Sequence, residues 1–409
     1  MLAPDHEDVA ARPVYDPFSY RIHEEPYPVY SWMRAHAPVY RNTERDFWAL
    51  SRHADVLSAL QNPALFSNRN GISLEPDLWG PQAVKTSFFL AMDPPDHGTM
   101  RRLLGHVFKP RWVAATQDRV RALTRARLEP LLERTVFDFA DDFAAMLPND
   151  VMCEVIGIPD ADREQIRAWN DALNHCEDGT DVRSKATVDA GLQLALYYVN
   201  LVGDRRRRPR DDLTSIVSEA QVDGSRLSVG DVVAFLFLLV SATNESTGKL
   251  LGNAWYHGWR LPEVKRAGLD GRAEDWGNES LRYDSPSQMV ARTLTRDTVI
   301  HGTHLPEGAR MVLLPASGNR DERVFPDPDS FDLDRDTSKH IAYGRGPHFC
   351  LGAALAQMEI KVVLQEVGAE VADYEIDMAG ARRIHSPHQR GFASLPCEVE
   401  RRRKSARNG

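Results

Sequence analysis

Nine consecutive apolar residues, Val232 to Val240, constrain this chain more than any other stretch. A half-exposed strand alternates and this run does not, whereas a helix apolar on every side has to pass through the middle of a protein. Ser228-Val-Gly-Asp231 ahead of it supplies a capping start. Beyond the run the same helix turns polar, reading Ala242-Thr243-Asn244-Glu245-Ser246-Thr247. Mid-helix hydroxyls commonly bond back to the preceding turn, which suits Thr247. Glu245 cannot be disposed of that way. With Thr243 and Ser246 it points to the polar wall of a cavity, because buried polar groups are costly elsewhere.

The second constraint is Tyr343-Gly344-Arg345-Gly346-Pro347-His348-Phe349-Cys350-Leu351-Gly352, followed by the apolar helical start Ala353 to Ala356. Two glycines and a proline let the backbone turn tightly and approach a flat object. A thiol at a helix N-terminus sits at the positive end of the macrodipole, which favours the thiolate. No second cysteine or histidine stands at zinc-ligand spacing. A lone thiolate suits a haem iron, where sulfur can push electron density toward O–O cleavage. Cys153, Cys176 and Cys397 are scattered, without Cys-x-x-Cys or Cys-x-x-Cys-His. That argues against a disulfide framework, a zinc module and covalent haem attachment.

Lys plus Arg number 50 against 59 Asp plus Glu, a formal charge of −9 that argues against a nucleic-acid binder. The N-terminal residues lack a basic-then-apolar signal, and no apolar run approaches the roughly 20 residues that span a bilayer. A soluble, cytoplasmic protein of a reducing compartment is expected. No repeat or linker divides the 409 residues, so one mainly helical domain with a small β portion is expected over 1–409, with 1–20 an irregular arm and 401–409 a disordered tail. Helical spacing covers 27–36 and 54–60, a helix opens at 93–97, and helical patterns run over 111–220 with breaks at Pro148, Pro159 and Gly179-Thr180. Strands are expected at 47–50, 298–300, 311–314 and 392–395. Residues 68–90 show no period, and Arg205 to Arg208 read as a solvated helix end.

Gly-x-Gly-x-His-x-Cys-x-Gly in the cysteine loop resembles the haem-thiolate signature of the cytochrome P450 family, with Tyr343 where Phe is usual. The resemblance runs from about Pro26 to Pro396 and is to the soluble bacterial branch. It implies the P450 fold, a long central helix over haem b, and Cys350 as the iron ligand. It further implies that Glu245 is the acid of the oxygen-activation segment, that Ser246 takes the place of its alcohol threonine, and that Thr243 stands where glycine is common. His97, Arg101, Arg292 and His340 match propionate contacts. Glu279 and Arg282 match the pair that braces the cysteine loop, with Ser330 where its usual arginine partner stands and Arg335 as a substitute. Gln357 also replaces a common arginine. Ile72, Leu74, Phe88, Phe89, Met289, Val290 and Phe392 are the implied substrate lining.

By the same resemblance the chain is a monomeric monooxygenase of secondary metabolism, inserting one atom of O2 into an apolar small molecule by hydroxylation or epoxidation. Electrons would come from a ferredoxin and its reductase, docked near Arg101, Arg102, Lys109 and Arg345. The substitutions at Thr243 and Ser246 keep two alternatives open: a haem-binding sensor or sequestering protein without turnover, and a haem-thiolate enzyme driven by peroxide or performing an isomerisation.

Overall fold

The apolar run forms the first half of a 32-residue helix, Val229–Arg260. At 1.5 Å per residue it is about 48 Å long, enough to cross a domain of this size. Its start is a full capping box: the Ser228 hydroxyl accepts from the Asp231 N–H at 3.0 Å, and the Asp231 carboxylate accepts from the Ser228 N–H at 3.0 Å. The computed structural model describes residues 13–105, 108, 110–174, 177–222 and 224–403, and only the backbone of Pro110, Asn174, Val222, Ser241, Asn244 and Glu245.

The two halves of this central helix serve different cores. Val232, Phe235, Leu236 and Val240 are completely buried with residues of helices Met146–Ile156 and Lys185–Arg207. Leu250, Leu251, Ala254 and Trp255 belong to a second cluster, where the Trp255 indole is stacked between Phe139 at 4.2 Å and Tyr374 at 3.4 Å. Close approach is made possible by Gly248, where a Cβ would lie 2.7 Å from the Ala144 carbonyl oxygen. Only glycine fits there.

Five strands form the larger sheet, in the order Val39–Asn42, Phe47–Leu50, Arg310–Leu313, Val290–Leu294, Phe66–Ser67. Phe47–Leu50 and Arg310–Leu313 run parallel, and the other neighbours run antiparallel. A three-stranded sheet joins Val371–Ile376, Pro396–Arg401 and Val136–Asp138. Mainly helical architecture with a minor β portion is therefore what the chain adopts. Among the described residues no helix is long and apolar enough to cross a membrane.

Several local expectations are corrected. Pro148 does not break a helix; it sits in the first turn of Met146–Ile156, where its missing N–H would have had no intrahelical partner. The irregular 68–90 stretch contains a short helix, Ala83–Ser87. Residues 13–19 are irregular as expected but packed down, since Tyr15 and Phe18 are buried and Tyr15 packs edge-on against Tyr30 and Phe47; residues 1–12 lie outside the described residues. Nor does a tail begin at Arg401, which ends a strand and pairs with Glu129 at 3.1 Å, while 404–409 lie outside the described residues. Arg205 is not solvated either. It is buried, with its guanidinium on Asp212 and on the Gly157 carbonyl at 2.7 Å.

Candidate active site: the cysteine loop beneath the central helix

Gly344 and Gly346 take φ of 69° and 72°, a region that side chains disfavour. A Cβ on Gly346 would also lie 2.7 Å from the Leu60 carbonyl oxygen. The turn is closed by the Cys350 N–H, which donates to the Tyr343 carbonyl at 2.9 Å, and by the Gly344 N–H, which donates to the Ile341 carbonyl at 2.9 Å. Helix Ala353–Glu370 starts three residues beyond the cysteine. Burial pushes the Cys350 thiol above its ordinary value, while the N–H groups of Gly352 and Ala353 and the Arg101 charge pull the other way.

Cys350 opens onto a cavity of about 480 Å³. Across it the central helix presents Ala242, Thr243 and Ser246. The Ser246 hydroxyl donates to the Ala242 carbonyl at 3.0 Å, so the back-bonding expected of Thr247 is found at Ser246. Glu245 lies on the same helix, and its side chain falls outside the described residues, as do Lys109 and Cys176.

Positive charge gathers at the cavity. Arg292 is held opposite Met311 in the larger sheet. Its buried guanidinium donates to the Ala291 carbonyl at 2.6 Å, has no ion pair among the described residues, and is pulled down to about 10 by burial, against the opposing pull of Asp93. Arg101 also lines the cavity, from the helix Asp96–Gly105. Behind this rim the rings of His97 and His348 lie 3.8 Å apart. His97 Nε2 and both ring nitrogens of His348 are buried without a partner among the described residues. Burial and neighbouring charge, Arg101 at His97 and chiefly His97 at His348, hold their pKa values at about 4 and about 2. His348 was missed as a contact by sequence reasoning although it stands inside the signature. His340, by contrast, does not line the cavity; it is buried, with its carbonyl accepting from Arg345 at 2.7 Å.

The implied substrate lining divides. Ile72, Phe89, Met289 and Val290 line the cavity. Leu74 is buried in a core cluster with Tyr30 and Phe47, Phe88 packs on Phe235, and Phe392 packs on Tyr256 and under the Arg383 guanidinium.

Glu279 and Arg282 form a fully buried two-point pair, at 2.7 and 2.6 Å. Arg335 Nε donates to the same carboxylate at 3.2 Å, the place left open by Ser330. Arg282 also donates to the carbonyls of Asn319 and Pro328, and so fastens its helix, Ala273–Tyr283, to the strand-free segment that leads to the cysteine loop. Glu359, on the helix that follows the cysteine, has two buried oxygens without partners among the described residues, and burial pushes its carboxyl up to about 8. The Tyr343 hydroxyl is likewise buried and unpartnered, and its pKa is raised by burial, by Cys350 and by Glu359.

A flat group carrying two carboxylates would satisfy Arg101, Arg292 and the paired imidazoles together, with Cys350 as axial thiolate. Those are the demands of haem b, and the site is a haem-thiolate pocket. The cytochrome P450 family model matches residues 277–378. Putative cytochrome P450 123 of Mycobacterium tuberculosis is 44% identical over 392 residues, 95% of this chain and 98% of that one. Cyclomarin C epoxidase CymV of Salinispora arenicola is 36% identical over 372 residues, 89% of this chain and 93% of that one. The solved structure of cytochrome P450 CYP109Q5 from Chondromyces apiculatus superposes with a TM-score of 0.84 at 30% identity, covering 95% of this chain and 98% of that one. The chain belongs to the cytochrome P450 family, and it is a monooxygenase with cysteine-ligated haem b.

Proposed function

We propose that this monooxygenase acts on a mostly apolar small molecule by hydroxylation or epoxidation, with electrons from a separate ferredoxin and reductase. The observation that carries the reading is the cavity itself, where Phe89, Phe237, Leu238, Met289 and Val290 share one wall system with Cys350. The resemblance to a cyclomarin C epoxidase supports oxygen insertion into a natural-product scaffold. The balance is substrate plus O2, two electrons and two protons giving oxygenated product and water.

Haem, when bound through Cys350, supplies the redox chemistry of O2 activation. This chain's residues do the rest. Arg101, Arg292, His97 and His348 would hold the haem propionates. The apolar wall orients the substrate and keeps bulk water out, which limits loss of reducing equivalents. Ser246 donates to Ala242 and keeps its lone pairs for a water on the cavity side, so it can hold a proton source in place. Glu245, one residue earlier, resupplies protons. Thr243 adds a second hydroxyl on that wall.

The test is NADH consumed against product formed with a surrogate ferredoxin system. Substrate-dependent consumption with product is expected, and Ser246→Ala should lower product per NADH several-fold. Consumption without product refutes the reading. Equal turnover with peroxide and no NADH would instead favour the peroxide-driven alternative.

A further inference from the structure

The cavity wall contains a polar cluster that the apolar reading does not use. Ser73 and Glu75 line the cavity from one segment and His388 from another. Glu75 Oε2 accepts from His388 Nε2 at 3.1 Å and from the Ser73 hydroxyl, and Ser73 Oγ is 3.0 Å from the same imidazole nitrogen. The His388 backbone is pinned, because its carbonyl accepts from the Gln288 N–H at 2.8 Å and Gln389 bridges to Ser287. Of the neighbouring cations, Arg183 lies 3.5 Å from Asp77 and Arg45 lies 3.4 Å from Asp181, while Arg310 donates to the Leu74 carbonyl and feels the Glu75 charge without an ion pair among the described residues. Both side-chain contacts fall on Oε2, and Glu75 Oε1 takes no hydrogen bond from another described side chain. Burial works to raise the Glu75 carboxyl, but His388, the Glu75 backbone N–H and Arg183 together lower it, so the group stays ionised at neutral pH. A part-buried carboxylate on the cavity wall with one oxygen free of side-chain donors can accept a hydrogen bond from a ligand.

We propose that Glu75, positioned by His388 and Ser73, is a specificity-determining acceptor for a hydrogen-bond-donating group, a hydroxyl or an amine, at one end of an otherwise apolar substrate. The proposal rests on the haem-thiolate reading of the cavity. A substrate of this class is an amphiphile whose polar end is fixed, so that a defined part of its apolar body faces Cys350.

Two isomers test it, undecan-1-ol and 1-methoxydecane, which match in size and differ in that only the alcohol donates. An alkylamine is avoided because it would ligate the iron directly. Each is titrated into the ferric, haem-loaded protein, and Kd is read from the low- to high-spin shift of the visible spectrum. The wild type is expected to prefer the alcohol roughly tenfold, as for a hydrogen bond to a charged group. The preference should fall to near unity in Glu75→Met and lie between in Glu75→Gln. Equal affinities in the wild type overturn the proposal without any variant, and an unchanged preference in Glu75→Met does so too. A wild type whose reduced carbonyl spectrum lacks the thiolate signature overturns both this proposal and the haem-thiolate reading. A thiolate spectrum with equal affinities overturns this proposal alone.

Discussion

Glu359→Gln isolates the cost of a buried carboxyl next to the cysteine loop. Glu359 is 2% exposed and its oxygens lack partners among the described residues. Burial lifts its pKa from 4.5 to about 8. Below pH 4.5 the group is protonated in both folded and unfolded chains and contributes no pH dependence. Between 4.5 and about 8 the unfolded chain releases the proton while the folded chain keeps it, so stability falls as pH rises. At roughly 1.4 kcal/mol per pH unit, the loss at pH 7 is of order 3 kcal/mol and is complete above about pH 8. Glutamine does not titrate, so the variant should lack this slope while sharing the protein's other titrations. Urea or thermal unfolding of both proteins from pH 5 to 8 gives the difference directly. The variant should gain on the wild type steadily across that range. Parallel profiles would refute the assigned pKa and, with it, the burial argument.

Arg292→Leu should act in opposite directions on two readouts. Removing an unpaired buried guanidinium should raise the stability of the haem-free chain, whereas a propionate left unpaired should speed haem transfer to a scavenging apoglobin by about 100-fold, equivalent to about 3 kcal/mol. Arg282→Ala breaks a fully buried pair and should cost about 3–5 kcal/mol, measured as a fall in Tm. Arg335→Ala should cost less, because Glu279 keeps its two-point contact with Arg282.

Much of the architecture was legible because local chemistry and tertiary demand agree. The apolar run and capping box mark the central helix, and 27–36, 47–50 and 298–300 emerge with the boundaries that their patterns imply. Arg335 could be named as a partner of Glu279 because few cations stand within reach of that loop in sequence. Other features depend on contacts that no local pattern carries. Whether Pro148 breaks or starts a helix depends on where the helix begins. Val136–Asp138 is too short to show alternation and exists through its pairing with Pro396–Arg401. Phe88 and Phe89 are chemically identical neighbours, yet one faces Phe235 and the other the cavity. His348 was readable too, from its place in the signature. The Glu75–His388 contact joins residues 313 apart, beyond any sequence spacing rule.

The visible spectrum of the reduced, carbonyl-bound, haem-loaded protein tests the account most directly. Ligation by Cys350 predicts the red-shifted thiolate band in the wild type and its loss in Cys350→His with haem still retained. A wild-type spectrum of the histidine-ligated kind, or a thiolate band that survives in Cys350→His, would show that Cys350 is not the ligand and contradict the central claim.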